Sequence, residues 1–332
     1  MQGSDNPKLA VVVIVATVFS LALGDALIKG TSATFTLWQI FALRSVAVVP
    51  ILILLLRWRA AGVRLMPRAP VWTVVRSMCL TVMWVTYYLS LVHVDLSVVA
   101  AAYYTLPLFI TLFAAWFLGE SIGPVGWMAV VLGFLGVILI LEPRASDFNW
   151  YALLPLMSAV LYAVAMILTR SRCRGEHMFV LSLWLNLTML AVGAAVTLLL
   201  AGLELSPEAV QRQEFLLGAW SALGVTELAA LAVLVMAILI GSVGAAYAYQ
   251  NGRPSTIATF DFAYVGFAMM WGVLVFGEQP AARGVAGVLL IVVAGILAVH
   301  AGNRATRAAE QAHHAGAPST CGLRQPSSRN GA

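Results

Sequence analysis

The chain has 332 residues, 61% of them apolar and only 10% charged, with a formal net charge of +5. Soluble domains carry about 25% charged residues, so this composition excludes a water-exposed fold, whose surface would aggregate. The basic excess forms no aromatic-interleaved patch, which argues against nucleic acid as a partner.

Apolar runs long enough to cross a hydrocarbon core of ~30 Å as helices recur along the chain. They predict an all-α integral membrane protein with ten transmembrane helices, at roughly 9–30, 35–56, 71–92, 97–118, 125–142, 150–169, 178–201, 227–249, 255–276 and 282–300. The first span follows Lys8 and reaches Ala22-Leu23-Gly24, a pattern that imitates a cleaved secretory signal. It is read as retained, because the related helix at 150–169 is internal. This span carries Asp25 and Lys29, four residues apart on one helical face. The favoured reading of Lys29 is a helix-end lysine that reaches the membrane–water interface.

The second span carries Arg44, about nine residues from its outer end and therefore ~14 Å deep. The fourth holds Tyr103, Tyr104 and Pro107; a proline there kinks the helix and frees a backbone carbonyl. The seventh holds Asn186, suited to packing or to a hydrogen bond between helices. A long acidic connection at 202–226 carries Glu204, Glu208, Arg212 and Glu214. The ninth span holds Asp261, Tyr264 and Trp271. After His300 the composition turns to Ala, Gly, Ser, Pro, Arg and His, which predicts a disordered cytoplasmic tail over 301–332.

The chain also repeats itself. Leu118-Gly119-Glu120 closes the fourth span and Phe276-Gly277-Glu278 the ninth, an offset of 158 residues. Each is followed by a turn with proline (Pro124, Pro280) and preceded by a Ser-led apolar run (Ser97, Ser255). Residues 9–142 and 150–300 therefore read as two repeats of five spans. Five is odd, so the repeats are inverted relative to each other, as in many carriers. With the N-terminus inside, fourteen of the nineteen basic residues fall on the inner side, and the positive-inside rule puts both termini in the cytoplasm. Glu120 then faces the cytoplasm and Glu278 the outside.

These residues carry a family resemblance. Asp25-Ala26-Leu27-Ile28-Lys29, Leu43-Arg44, Leu118-Gly119-Glu120 with Gly133-Phe134-Leu135-Gly136-Val137, and Phe260-Asp261-Phe262-Ala263-Tyr264 with Phe276-Gly277-Glu278 resemble motifs of the drug/metabolite transporter superfamily. The chain is similar to the branch with two EamA-type domains, which includes S-adenosylmethionine uptake carriers. The resemblance covers roughly 9–300 and implies ten helices, inverted repeats and movement of small metabolites without ATP hydrolysis. Glu142-Pro143 and the long acidic connection depart from the pattern.

A charge at mid-helix costs roughly 2.5–3.5 kcal/mol, so Asp25, Arg44 and Asp261 must pair, hydrate or meet substrate. A carboxylate beside aromatic rings suits a cationic, planar or amphipathic metabolite. Asp25, Arg44, Tyr103, Tyr104, Asp261, Tyr264 and Trp271 are the candidate substrate-binding residues. Lys29, Glu120, Asn186 and Glu278 are assigned gating or structural roles. Cys79, Cys173 and Cys321 have no metal-binding spacing, and neither a catalytic constellation nor a phosphate loop stands out, so no cofactor and no enzymatic activity are expected.

The expected function is a secondary carrier of small organic metabolites, amino acids or S-adenosylmethionine-like cations, working by alternating access in the cytoplasmic membrane. The lipid bilayer is its solvent, and a homodimer is a compatible assembly. Two rivals remain: an efflux carrier for toxic or surplus amphiphiles, and a non-transporting scaffold in which the intramembrane charges have no purpose.

Overall fold

The computed structural model describes residues 7–32, 34–59, 62–118, 123–141, 149–173, 175–251, 260, 263–279 and 281–315. Most of them are helical, with no strand among the described residues. The helices are α1 (Pro7–Thr31), α2 (Leu37–Arg59), α3 (Pro70–His93), α4 (Leu96–Tyr103), α5 (Leu106–Leu118), α6 (Pro124–Leu141), α7 (Leu154–Ser171) and α8 (Met178–Ala201). Then follow the short α9 (Pro207–Arg212) and α10 (Glu214–Leu217), and the longer α11 (Val225–Asn251), α12 (Ala263–Phe276) and α13 (Ala282–Ala315). A helix is the form in which an apolar segment satisfies its own backbone polar groups away from water. Pro70, Pro124 and Pro207 each open a helix, where the missing N–H has no intrahelical partner to lose.

Among the described residues five helices are long and apolar enough to cross a membrane: Leu9–Thr31, Leu37–Arg59, Pro70–His93, Trp150–Thr169 and Phe179–Ala201. The apolar stretches of α6, α11, α12 and α13 are shorter. Large apolar side chains point outward, among them Leu54 (68% exposed), Leu198 (74%) and Trp116 (82%). Such a surface belongs in lipid. The protein is an all-helical membrane protein.

Two expectations are corrected. The fourth span is not one helix: it breaks between Tyr103 and Leu106, immediately before Pro107. The final helix continues through Ala315, fifteen residues into the segment expected as a disordered tail, because its Ala-rich sequence keeps helix propensity after the apolar stretch ends. The acidic connection is partly helical. It contains α9 and α10, buries Phe215, and is tied down where Trp38 Nε1 donates to Leu216 O (2.8 Å) and Gln39 Nε2 to Ser221 O (2.9 Å).

Packing joins distant parts of the chain. The principal partners are α6 with α13, α1 with α11 and α12, α2 with α8, and α3 and α5 with α7. Glycine permits the closest approaches. A Cβ on Gly193 of α8 would stand 3.0 Å from Trp38 O of α2, and one on Gly136 of α6 would stand 2.8 Å from Gly287 O of α13.

The connections gather at two ends. At one, Ala69 N donates to Glu176 Oε1 (2.7 Å), Trp184 Nε1 to Leu65 O (3.0 Å) and Arg76 Nε to Thr169 Oγ1 (2.6 Å). At the other, Asn149 Nδ2 donates to His93 O (2.8 Å), Gln213 Nε2 to Tyr151 Oη (2.6 Å), and the acidic connection meets the start of α2.

Candidate substrate site

The centre of the bundle holds a small polar group inside aromatic walls. Asp25 on α1 is buried, with 6% of its surface exposed. Tyr264 Oη on α12 and Tyr87 Oη on α3 (3.3 Å) both lie within hydrogen-bond reach of its carboxylate, and the two phenols lie 2.7 Å apart. Each phenol has one proton, so a chain from Tyr87 to Tyr264 to Asp25 fits the donor inventory. Tyr104, at the end of α4, stacks on Tyr264 with centroids 4.9 Å apart. Tyr103 meets Tyr87 edge-on at 5.0 Å, and Trp84 stacks on Tyr88 at 5.0 Å.

Arg44 lies beside this group, seven residues into α2 and 3% exposed. Nη1 reaches Tyr88 Oη at 3.5 Å, the long limit of a hydrogen bond, and Nη2 reaches Met189 Sδ at 2.8 Å. The guanidinium sits over the Phe41 ring, 5.6 Å from its centroid. Among the described residues Arg44 and Asp25 form no ion pair.

A second polar group lies one helical turn along α1. Lys29 Nζ donates to Val94 O (2.7 Å) and pairs with Glu278 Oε1 (3.2 Å). Glu278 in turn accepts from the backbone of Leu96 (2.6 Å) and Ser97 (3.2 Å) and from Ser97 Oγ (2.9 Å). It therefore caps α4, whose own N-cap residue, Asp95, makes no capping bond. A carboxylate at a helix N-terminus meets unsatisfied N–H groups and the positive end of the dipole. The favoured reading of Lys29 as an interfacial lysine is thus corrected: an acceptor on another segment holds it inside the fold.

The structure brings Asp25, Arg44, Tyr103, Tyr104 and Tyr264 together. Trp271 stands apart, packed with Phe19 at 5.4 Å, its buried Nε1 without a partner. Asn186 is buried, but its Nδ2 donates to Ser182 O (2.9 Å) in its own helix rather than across helices. Asp261 and Glu120 lie outside the described residues. Sequence reasoning missed Trp84, Tyr87, Tyr88 and Met189. The first three fall at i, i+3 and i+4 on one face of α3, a spacing that marks a shared surface.

Near the end bearing the acidic connection, a cavity of about 310 Å³ is lined by Ser32, Thr34, Phe35, Thr36, Glu214, Ser221 and Glu227. It does not include Asp25 or Arg44.

Comparison with known proteins places the chain in a family. The EamA-like transporter family matches residues 8–142. A pseudopaline exporter of Pseudomonas aeruginosa is 30% identical over 291 residues, 87% of this chain and 95% of that protein. A riboflavin transporter of Rhizobium johnstonii is 29% identical over 53% of each chain. An S-adenosylmethionine uptake transporter of Rickettsia bellii is 32% identical over 28% of this chain and 31% of its own. A solved crystal structure shares the fold, with a TM-score of 0.59 at 20% identity, covering 89% of this chain and 97% of that one. The chain belongs to the EamA-like transporter family, within the drug/metabolite transporter superfamily.

Proposed function

We propose that this membrane transporter is a secondary carrier of small organic metabolites, with Asp25, Arg44, Tyr103, Tyr104 and Tyr264 as its substrate group. The observation that carries this reading is a buried polar group assembled from both halves of the chain, with the Lys29–Glu278 pair one turn along the same helix. Buried charge in a membrane bundle is costly and marks a pathway or relay. Asp261, three residues before Tyr264, joins the proposal by sequence position.

Alternating access on two inverted repeats is part of the reading. Matching helices by order pairs α1 with α7, α2 with α8, α3 with α11, α4 and α5 with α12, and α6 with α13. Under that exchange the α1–α11 contact becomes α7–α3, and α1–α12 becomes α7–α5, while α2–α8 and α6–α13 map onto themselves. The described connections also alternate between the two ends, and the end holding residues 62–69 and 172–177 carries Arg64, Arg68 and Arg172. This supports a cytoplasmic-membrane protein with that end, and both termini, in the cytoplasm.

Amino acids or S-adenosylmethionine-like cations suit a carboxylate between phenols. Efflux is the second reading, favoured by one observation: the relative that matches over 95% of its own length is named an exporter. Flux of labelled metabolites in proteoliposomes, with and without a proton gradient, tests the carrier. Reporter fusions after Arg64 and after Glu208 test the topology; both on one side would end the inverted-repeat reading.

A further inference from the structure

Where α3 starts and α7 stops, two arginines share one edge of the bundle. Arg76 lies on α3, about 9 Å along the axis from Pro70. Its Nε donates to Thr169 Oγ1 of α7 (2.6 Å), while Nη1 is buried without a hydrogen-bond partner. Arg172, at the end of α7, is exposed and lies over the Trp72 ring of α3, 4.8 Å from its centroid. Neither guanidinium has a carboxylate partner among the described residues. The neighbouring Glu176 accepts from Ala69 N instead (2.7 Å). Trp72 and Arg76 are four residues apart, on one face of α3, and long side chains in a helix lean toward its N-terminus. Arg76 therefore leans toward the ring that Arg172 covers. Beside this stripe run Val71, Val75, Met78 and Val82, apolar and 69%, 39%, 41% and 43% exposed.

A guanidinium presents five donors in a planar fork that matches a phosphate. Basic pockets between helices at one membrane face suit phospholipid head groups, and tryptophan settles at head-group depth. We propose that the cleft between α3 and α7 binds an anionic phospholipid: Arg76 and Arg172 take its phosphodiester, and an acyl chain lies along Val71, Val75, Met78 and Val82. Charge complementarity and the continuous apolar stripe both select this occupant. A free phosphate shares the head-group chemistry but covers none of the stripe. Because α3 and α7 come from different halves of the chain, the lipid acts as a clamp between them. The inference goes beyond the carrier reading and is independent of cargo, of transport direction and of which leaflet this end faces.

Native mass spectrometry of the purified full-length protein in detergent tests it, with dioleoyl-phosphatidylglycerol titrated against dioleoyl-phosphatidylcholine. The wild-type protein is expected to retain the first lipid about tenfold or more tightly than the second, from two arginines near one phosphate. Arg76→Gln and Arg172→Gln are each expected to cut that preference several-fold, and the double variant to bring it near parity. Arg64→Gln, an exposed cation outside the cleft, is expected to leave it unchanged. Should Arg76→Gln fail to fold, the exposed Arg172 carries the test alone. Equal retention of the two lipids by the wild-type protein overturns the proposal, as does a preference that survives Arg172→Gln or falls equally with Arg64→Gln. Glycerol 1-phosphate separates the lipid from its soluble head group. It is expected neither to displace the lipid nor to raise the melting temperature as phosphatidylglycerol does; equal protection by the soluble phosphate would make this a site for small anions and remove the lipid.

Discussion

Lys29 and Glu278 are 249 residues apart in the chain and 3.2 Å apart in space. The pair ties α1 to the turn after α12, and through the amides of Leu96 and Ser97 it also holds the start of α4. Glu278 meets Lys29, two backbone amides and a hydroxyl, whereas Lys29 meets one carboxylate and one carbonyl. Glu278→Ala is therefore expected to lower the melting temperature more than Lys29→Met. Removing one partner of a buried pair costs about 3–5 kcal/mol, and the partly exposed Lys29 belongs below that range. Exchanging the residues, Lys29→Glu with Glu278→Lys, is expected to fail as a rescue, because a lysine cannot accept the amide protons. Recovery of wild-type stability in the exchanged protein would show that only the charge pair matters.

Tyr264 and Tyr87 share one carboxylate oxygen of Asp25. Tyr264→Phe and Tyr87→Phe are each expected to cost about 1–3 kcal/mol, the penalty for leaving a buried polar group short of a partner. The double substitution is expected to depart from additivity by about 0.5–3 kcal/mol. Asp25→Asn is expected to fold and to lose most of the flux. Chemical denaturation checks the coupling and proteoliposome uptake the flux; additive effects would dissolve the network.

Gly136 and Gly193 stand where helices from the two halves nearly touch backbone to backbone. Gly136→Val is expected to destabilise by about 1–3 kcal/mol through overpacking. Gly123, with open space around it, is the control: Gly123→Ala is expected to change little. Thermal melts of both variants decide the matter.

Gln39 holds the acidic connection by giving an amide proton to Ser221 O and taking one from Ser221 N (3.2 Å). Gln39→Leu is expected to loosen residues 204–222 and speed their cleavage by an added protease. Unchanged cleavage would mean that Trp38 and Phe215 alone secure the segment.

The helices were legible because lipid makes one demand, uninterrupted apolar length, and because prolines such as Pro70 and Pro124 mark where helices start. Asp25 and Arg44 were legible as charges that such length does not tolerate. Trp84, Tyr87 and Tyr88 were not, since tyrosine and tryptophan are equally at home in a membrane-interface belt, and only the fold shows that these rings line the interior. The partners of Glu278 were hidden for a different reason: Leu96 and Ser97 offer it backbone amides, which every residue except proline has. The sequence assigned Glu278 a gating or structural role, and the helix whose start it meets lies more than 180 residues earlier in the chain.

Each principal packing partner of the first six helices lies in the second half of the chain, and this has a consequence for synthesis. At roughly 5–20 residues per second, the 239 residues between Asp25 and Tyr264 take about 12–48 s to emerge from the ribosome. Through that interval the nascent first half has neither α11 to cover α1 nor Glu278 to meet Lys29. Its two halves are not modules that fold in turn. A chain halted near residue 150 lacks the principal packing partners of α1, α2, α3, α5 and α6.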